Sequence, residues 1–583
     1  MFMRLIHTDS AACSTLLFLT LFSNSLSPLS ASPIPKHEVR AVWVATTAGL
    51  DWPKTQDRNE QQSSLRNIVR NLQRAKFNTI FFQVRARGDA YYRSSYEPWA
   101  GNLTGSPGKD PGWDPLDFLL KEAHDAGMEV HAWFNLYKAG RPASAQEGSP
   151  LHVSILHPQW VFRSDEEIWL DPGIPEVNDY LLSVALELVR EYDIDGIQFD
   201  FVRYPSRDVP DMHTYRRYGR GYALDDWRRA NVTAFVREFY DRATTIRPML
   251  KVGATPVGNF IGGKPSAYTE LYQDAVGWLR RGKLDYLAPQ IYWNLGSSAG
   301  DPDFAELAEL WQENSSGRHI YAGIGSYKPD VLAELPLEID AARFSGCAGH
   351  AFFRYESIDE FAHLAGRYRT IAVVPAMPWK DGLSPEAPKH LAVTAIAPSA
   401  NQIEWTPSPP AVDGDDARRY LVYRFRTPLF IGHDPSALIH ITRSIETVYV
   451  DSATSASAGA SYYAVSALDD GNNESAPSPL ARVVPTELLA LRSRIKPQVA
   501  LAAHPSTGSS LLVAYSVPER MLVSLELCDG GGGTSLQTLV QAMREAGDHL
   551  VSIDGLDLDP GSYALKLVTG NSVVVKIVSF GPR

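Results

Sequence analysis

The stretch Asp195–Pro205 reads DGIQFDFVRYP and combines a β-strand pattern with an acid near its end. Ile197 and Phe199 alternate with Gln198 and Asp200, which is the period-two pattern of a strand with one apolar face. Asp200 shares its face with Gln198 and lies at the carboxyl end of the strand. In a parallel barrel, an acid at that end is more often functional than structural. The neighbouring segments therefore decide what Asp200 does.

Strand-like and helical segments alternate between Glu38 and Pro378. The strands begin at Val39, Thr79, Glu129, Asp195, Lys251, Leu284, His319 and Cys347. The helices begin at Leu65, Pro115, Val177, Trp227, Tyr268 and Asp303. Eight strands alternating with helices predict an α/β fold, a (β/α)₈ TIM barrel over residues 38–378. A doubly wound sheet is the alternative, but no glycine-rich phosphate loop follows the first strand.

The beginning of the chain has the order of a secretory signal peptide over residues 1–31, with a short apolar run followed by small residues. We therefore expect export to the periplasm, the outer surface or the medium of a Gram-negative bacterium. The formal charge of −12 argues against nucleic acid as a partner. Outside the leader only Cys347 and Cys528 remain, which is too few for a disulfide framework.

Two small β-sandwich domains are predicted after a proline-rich linker that begins at Val373. Residues 386–485, with Trp405 on an early strand, resemble a fibronectin type III domain; a sugar-binding module is the alternative to a spacer role. Residues 486–583 resemble the small sandwich used at C-termini for type nine secretion. Secretion machinery is therefore a possible partner, and a purely structural β-domain is the alternative.

Polar and aromatic residues concentrate at the predicted strand ends and in the long loops that follow strands two, three and four. Loops of that length in a compact domain usually build a site. Aromatic faces beside amides, acids and arginines suit a sugar, although any one aromatic residue is as readily a core residue. The candidate substrate-binding residues are Gln83, Arg85, Asp89, Trp99, Trp133, Asn135, Arg203, Tyr204, Gln290, Tyr292, Trp293 and Tyr355.

Glycoside hydrolysis commonly needs two carboxyl groups, and Asp200 with Glu97 is the pair we predict. Glu97 lies between aromatic neighbours, a setting that would raise its pKa toward that of a general acid. The alternatives are an exposed loop carboxylate for Glu97 and an ion pair with Arg203 or Arg85 for Asp200. Other acids at the same end are Asp89, Asp171 and Glu356.

No cofactor or metal is predicted from the sequence. The histidines lack zinc-ligand spacing, and no GxSxG motif follows a strand. A structural calcium site in an acidic loop stays open.

Several motifs in order carry a family resemblance: EVRAVWVATTAGLDWP from Glu38, FFQVRARGDAYYRSSYEPWAG from Phe81, GMEVHAWFNLYKAG from Gly127, the DGIQFDFVRYP stretch, and LDYLAPQIYW from Leu284. Together they resemble glycosyl hydrolase-like family ten. The resemblance implies an envelope glycosidase acting on peptidoglycan glycan stripped of its peptides, with Glu97 as the catalytic acid. Many relatives read DGIHFDDYFYP, so Phe201 stands here in place of a second Asp and Arg203 enters the motif.

The sequence thus predicts an exported glycoside hydrolase whose partner is a glycan polymer, peptidoglycan or a related amino-sugar polysaccharide. The alternative is a non-catalytic carbohydrate-binding or wall-anchoring protein that uses the barrel as a platform, which the Phe201 substitution keeps open. A nuclease or phosphatase is disfavoured by the charge and by the lack of metal-ligand spacing.

Overall fold

The structure is a computed structural model, and the predicted leader 1–31 lies outside the residues it describes. These residues are 32–140, 150–261, 263–296, 301–358, 364, 366–397, 399–427, 429–430, 432, 434–452, 461–483, 500–506, 510–530, 534–553, 556, 558–570 and 572–580. No helix within these ranges combines the length and the apolar character that crossing a bilayer requires.

The first part of the chain alternates strands with helices, as predicted. Its strands are β1 (Val39–Val44), β2 (Thr79–Arg85), β3 (Glu129–Asn135), β4 (Lys138–Gly140), β5 (Val161–Ser164), β6 (Glu167–Leu170), β7 (Gly196–Asp200), β8 (Lys251–Ala254), β9 (Phe260–Ile261), β10 (Lys264–Pro265), β11 (Tyr286–Leu287), β12 (Gln290–Ile291), β13 (His319–Ile324) and β14 (Gly349–Phe352). Its helices are α1 (Arg58–Arg74), α2 (Pro115–Asp125), α3 (Val153–Leu156), α4 (Pro175–Glu191), α5 (Met212–Tyr218), α6 (Leu224–Ile246), α7 (Ser266–Glu270), α8 (Ala275–Arg280), α9 (Phe304–Glu313) and α10 (Pro329–Phe344).

A closed parallel barrel is formed by β1, β2, β3, β7, β8, β11, β13 and β14, which pair in chain order. Pairing of β14 with β1 and of β11 with β13 closes the sheet, and β12 prolongs the sixth strand. The predicted (β/α)₈ TIM barrel is therefore confirmed. Strands β4, β5 and β6 form a separate antiparallel sheet after β3.

Local capping explains where individual helices begin. The Asp114 side chain accepts a hydrogen bond from the Asp117 amide at 3.1 Å, and Pro115 occupies the first turn of α2. Helix α10 was missing from the predicted elements because it contains Pro336, a residue that removes a backbone donor from a helix interior.

Large aromatic side chains fill the inside of the barrel, among them Trp43, Phe81 and Tyr286. The segment predicted as a linker from Val373 packs against this core through Val374 and Met377. In the same segment, Trp379 Nε1 donates to Asp285 Oδ1 at 2.9 Å. This segment therefore closes the floor of the barrel, and it is not a free linker.

Two antiparallel sheets follow the barrel, and the strands are β15 (Lys389–Ala397), β16 (Ala400–Thr406), β17 (Arg419–Phe425), β18 (Leu438–Ile441), β19 (Val448–Asp451), β20 (Tyr462–Leu468) and β21 (Ala481–Arg482). Trp405 and Tyr463 are buried in this unit. Asn472 Nδ2 donates to Glu129 Oε1 at 3.3 Å, and Glu129 is the first residue of β3. The unit therefore contacts the floor of the barrel, opposite the carboxyl ends of its strands.

Two further antiparallel sheets end the chain, with strands β22 (Ala500–Ser506), β23 (Ser510–Val517), β24 (Met521–Cys528), β25 (Ser535–Arg544), β26 (Gly547–Ile553), β27 (Gly561–Thr569) and β28 (Ser572–Phe580). Leu511, Leu525 and Leu565 lie in one buried cluster shared by both sheets. The presence of small β-domains after the barrel is therefore confirmed. Their kinship to fibronectin type III and secretion domains, and the boundaries predicted for them, stay predictions.

Candidate active site

A pocket of about 230 Å³ lies at the carboxyl ends of the barrel strands, and we call it the mouth pocket. Aromatic side chains from β1, β3 and the segments after β12 and β14 form part of its wall, and Asp200 is the carboxylate among its lining residues. The lining residues are Trp43, Ala45, Thr47, Leu50, Gln83, Ala86, Arg87, Trp133, Asn135, Lys138, Asp200, Phe201, Thr255, Gln290, Tyr292 and Phe353. Aromatic walls with a few polar groups fit the face of a sugar ring.

Asp200 is the last residue of β7 and is 6% exposed. Its Oδ1 accepts hydrogen bonds from the Phe201 amide at 2.7 Å and from Gln290 Nε2 at 3.5 Å. Burial raises the pKa of Asp200 to about 6, against the opposing effects of the Phe201 amide, Arg203 and Trp133. A carboxyl with that pKa is half protonated in mildly acidic solution, so it can donate a proton there and take one back.

A sharp backbone turn after Asp200 presents its carboxyl group to the pocket. Phe201 has a φ of +50°, a left-handed conformation that is unusual for a bulky residue. The Leu136 amide donates to the Asp200 carbonyl at 2.8 Å, so the ends of β3 and β7 are tied together. Residues held in such conformations cluster at functional sites, where the surrounding structure maintains them.

Three cationic side chains line the mouth pocket or lie beside it. Lys138 and Arg87 line the pocket, and both lie near Glu167 Oε1, at 3.7 Å and 3.6 Å. Arg203 is half-buried against the rings of Trp169 and Phe201, and its charge helps to hold down the pKa of Asp200. The pocket therefore combines one acid with an excess of positive charge.

Two buried polar atoms in the pocket wall lack hydrogen-bond partners. Trp133 Nε1 is a donor and Asn135 Oδ1 is an acceptor, and both residues are 3% exposed. The Trp133 indole is close enough to Asp200 to lower its pKa, although it makes no hydrogen bond of normal geometry to that carboxyl. Unpaired buried polar atoms are uncommon in proteins, so a donor and an acceptor in one pocket wall indicate a place for a ligand.

Glu97 lies outside the mouth pocket, in a buried ion pair. Arg85 donates to both of its carboxylate oxygens, with Nη2 at 2.7 Å from Oε1 and Nε at 2.8 Å from Oε2. The Tyr180 hydroxyl on α4 donates to Oε1 at 3.1 Å. The predicted carboxylate pair therefore does not meet in the mouth pocket, which is lined by Asp200 and not by Glu97.

A β-bulge in β2 explains why Arg85 and Glu97 are displaced. Gln83 is opposite Trp133, but Arg85 is opposite Phe134, so one extra residue interrupts the pairing between them. In a regular strand, Arg85 would share the face of Gln83, two residues before it. The bulge instead places it on the face of Phe134, where its guanidinium lies 4.9 Å from that ring.

The mouth pocket brings together six of the predicted site residues, and these are Gln83, Trp133, Asn135, Asp200, Gln290 and Tyr292. Arg203 lies next to them and influences Asp200. The remaining predicted residues do not line it, and these are Arg85, Asp89, Glu97, Trp99, Tyr204, Trp293 and Tyr355.

Specific contacts account for several of these displaced residues. Tyr204 is buried against Tyr272, and the Tyr355 hydroxyl accepts a hydrogen bond from Asn71 at 2.9 Å. The Asp89 carboxylate accepts a hydrogen bond from the Arg87 amide at 2.8 Å. Trp99 and Trp293 pack against the large hydrophobic core outside the barrel lumen.

The pocket is also lined by Trp43, Arg87, Lys138, Thr255 and Phe353, which are not among the residues predicted from the sequence. Trp43 belongs to β1, and Thr255 directly follows β8. The carboxyl-end rule that selected residues on strands two, three, four, six and eight would have found both if it had been applied to strands one and five. Lys138 had no such signal, because it belongs to the small sheet after β3.

Among the described residues, one group of acids is close enough to share a cation, and it consists of Asp381, Asp413 and Asp415. It lies outside the mouth pocket. Asp381 Oδ2 already accepts a hydrogen bond from Asn473 at 2.8 Å.

Residues 38–336 match the family described as glycosyl hydrolase-like 10. Glycosyl hydrolase YngK of Bacillus subtilis (strain 168) is 31% identical over 434 residues, which cover 68% of this chain and 84% of that protein. Glycosyl hydrolase DigH of Escherichia coli (strain K12) is 36% identical over 335 residues, covering 52% of this chain and 76% of that protein.

Among solved structures, the PgaB (BpsB) glycoside hydrolase domain from Bordetella bronchiseptica is 11% identical, with a TM-score of 0.42, and the match covers 58% of this chain and 100% of that one. The family match spans all but the last of the predicted barrel strands, from Glu38 to Pro336, and indicates a hydrolase that acts on glycans. The chain belongs to the glycosyl hydrolase-like 10 family.

Proposed function

We propose that the protein hydrolyses glycosidic bonds in a bacterial envelope glycan, most favourably in peptidoglycan glycan strands, and that Asp200 donates the proton to the leaving oxygen. The main support for this proposal is the position of Asp200, which is buried at the mouth of the barrel between aromatic walls. Its pKa is raised to about 6. A general acid works best when its pKa lies near the working pH.

The charge of the pocket supports an anionic amino-sugar polymer. Arg87 and Lys138 both line the pocket and share one counter-ion, Glu167. Peptidoglycan strands freed of their peptides carry a carboxylate on every second sugar, and an excess of cations complements such a strand. Neutral glucans lack that charge, so they are poorer partners for this wall.

Glu97 acts, in this proposal, as a positioning residue. Its carboxylate holds Arg85, whose Nη1 donates to the Leu136 carbonyl at 3.0 Å and also to the carbonyl of Asn135. The same segment carries Asn135 into the pocket and is tied to Asp200 through the Leu136 amide. Glu97 thereby fixes the end of β3 without touching the sugar.

Export completes the proposal, with residues 1–31 as a leader and the C-terminal domain as a possible sorting signal. Expression of the full chain in a Gram-negative host should yield a mature protein that begins at Ser32. N-terminal sequencing of the purified protein tests this, and an intact Met1 would contradict it.

Release of soluble fragments tests the hydrolase. Sacculi pretreated with an amidase should release glycan fragments when incubated with the mature protein, and Asp200→Asn should abolish release while binding to the sacculi persists. The matched control is Asp193→Asn, since the Asp193 side chain is 82% exposed near the opposite end of the same strand. Binding to sacculi without release by the wild type would favour the carbohydrate-binding alternative.

The role of Glu97 has a separate test. If Glu97 donated the proton, Glu97→Gln would retain activity on aryl glycosides with good leaving groups, because these need no acid. If Glu97 is a positioning residue, Glu97→Gln should lower kcat equally on aryl glycosides and on natural glycan. Rescue restricted to good leaving groups would return Glu97 to the role of acid.

A further inference from the structure

We infer that the mouth pocket holds the 2-acetamido group of the sugar whose bond is cleaved, and that the carbonyl oxygen of this group, rather than a second carboxylate, attacks the anomeric carbon. This inference rests on the proposed hydrolase function. It defines the substrate class as glycans with a 2-acetamido sugar on the side of the bond that forms the intermediate.

The first supporting observation is that the mouth pocket offers no second carboxylate among the described residues that line it. Within the part of the chain that the structure describes, Asp200 is the one carboxylate that lines the pocket. Glu97 is held by two donors of Arg85, and Glu167 lies behind Lys138 and Arg87. Retaining and inverting glycosidases ordinarily need two carboxyls, and in one of the known exceptions the substrate supplies the nucleophile.

The second observation is the pair of unpartnered atoms. Trp133 Nε1 can donate one hydrogen bond and Asn135 Oδ1 can accept one, and both are buried in the pocket wall. A secondary amide offers one acceptor and one donor, which is the complementary set. An acetamido group would satisfy both atoms, because its carbonyl oxygen accepts from Trp133 Nε1 and its N–H donates to Asn135 Oδ1.

The proposed chemistry needs only water as a co-reactant. In the first step the Asp200 carboxylic acid transfers its proton to the glycosidic oxygen, the bond from C1 to that oxygen breaks, and the acetamido oxygen forms a bond to C1. The leaving sugar departs as an alcohol, and the donor sugar becomes a cationic five-membered oxazolinium ring. The Asp200 carboxylate then lies beside that positive charge.

In the second step a water molecule forms a bond to C1 while Asp200 takes one of its protons. The bond from C1 to the acetamido oxygen breaks, and its electron pair restores the neutral amide. In the first step, by contrast, Asn135 Oδ1 accepts a hydrogen bond from the amide N–H, which increases the electron density on the attacking acetamido oxygen. Two displacements at C1 leave the configuration of the product the same as that of the substrate.

The experiment uses the full mature chain, soluble peptide-free glycan strands, and the thiazoline analogue of N-acetylglucosamine, which imitates the bicyclic intermediate. Early proton NMR spectra should show new reducing ends with retained configuration. The thiazoline should inhibit release competitively, and calorimetry should detect its binding to wild-type protein.

Variants of Asn135 locate the amide site. Asn135→Ala should bind the thiazoline about 10- to 100-fold more weakly, because one buried hydrogen bond is lost, while Asn135→Asp keeps an acceptor and should recover part of that affinity. Asn231→Ala is the matched control, since Asn231 lies outside the pocket and contacts Tyr204. Circular dichroism of each variant establishes that it is folded.

Each result bears on a definite claim. Glycan release with inverted configuration, or release that the thiazoline does not inhibit, overturns this inference and leaves the hydrolase intact. Thiazoline binding without release from any glycan overturns the hydrolase and with it the nucleophilic step. Retention, inhibition and the Asn135 pattern together support it.

Discussion

Replacement of Asp200 with Asn should stabilise the folded protein at neutral pH while it removes hydrolysis. Burial raises the pKa of Asp200 from 3.8 in the unfolded chain to about 6. Between these values the folded state binds more protons than the unfolded state, so the stability of the wild type falls as the pH rises. A difference of about 2 pKa units, at about 1.4 kcal/mol each, amounts to about 3 kcal/mol. The loss is complete above the folded pKa.

Urea unfolding at about pH 4.5 and about pH 7.5, followed by tryptophan fluorescence, measures this effect. About 2 of the 3 kcal/mol should be lost between these two pH values, because the carboxyl of the unfolded chain is already mostly ionised at the lower one. Asp200→Asn cannot ionise, so its stability relative to the wild type should increase by about 2 kcal/mol between the two conditions.

Asp193→Asn provides the matched control, because the Asp193 carboxylate is largely exposed and its pairing with Arg247 is a surface interaction. This variant should follow the pH dependence of the wild type. An identical pH dependence for wild type and Asp200→Asn would refute the claim that burial dominates the protonation of Asp200.

The kcat/KM of the wild type should fall about tenfold per pH unit above about pH 6, because Asp200 loses its proton there. A reducing-end assay across the pH range tests this. A flat profile would exclude Asp200 as the acid. Glu97→Ala should lower the free energy of unfolding by about 3–5 kcal/mol, because it leaves Arg85 buried without a counter-charge. The double variant that also carries Arg85→Met should recover most of this loss in the same urea assay. Trp379→Ala should lower the free energy of unfolding by about 2–3 kcal/mol, because Trp379 packs against the barrel floor. The kcat should stay unchanged, and a large fall in kcat would contradict the separation of floor and mouth.

The sequence predicted the barrel and the acid of the site because both depend on patterns along single strands. Asp200 and Gln290 lie where strand ends place them, so parity and the carboxyl-end rule were enough. Arg85 shows where this reasoning fails, since a bulge of one residue reverses its side-chain direction and nothing in the local pattern indicates the bulge.

Contacts between distant parts of the chain were equally invisible in the sequence. Glu97 is a buried ion-pair partner and not an accessible acid because Arg85 and Tyr180 of α4 donate hydrogen bonds to it. Both residues are separated from Glu97 along the chain and meet it only in the folded barrel. The segment from Val373 has the composition of a linker because it is rich in proline, yet Met377 and Trp379 pack beneath the barrel. Local composition predicts local conformation, and these outcomes depend on tertiary packing.

Phe201 links the unusual motif to the chemistry of the site. Its ring lies 4.8 Å from Lys138 Nζ and 5.0 Å from the Arg203 guanidinium, so the position next to Asp200 carries an aromatic face for cations rather than a second acid. Without a neighbouring carboxylate, repulsion between like charges cannot raise the pKa of Asp200, and its burial must do so against two nearby cations. One acid that titrates near neutrality can give and retake a proton, but it cannot also attack carbon. The nucleophile must then come from elsewhere, and the unpaired Trp133 and Asn135 atoms favour an amide carried by the sugar itself.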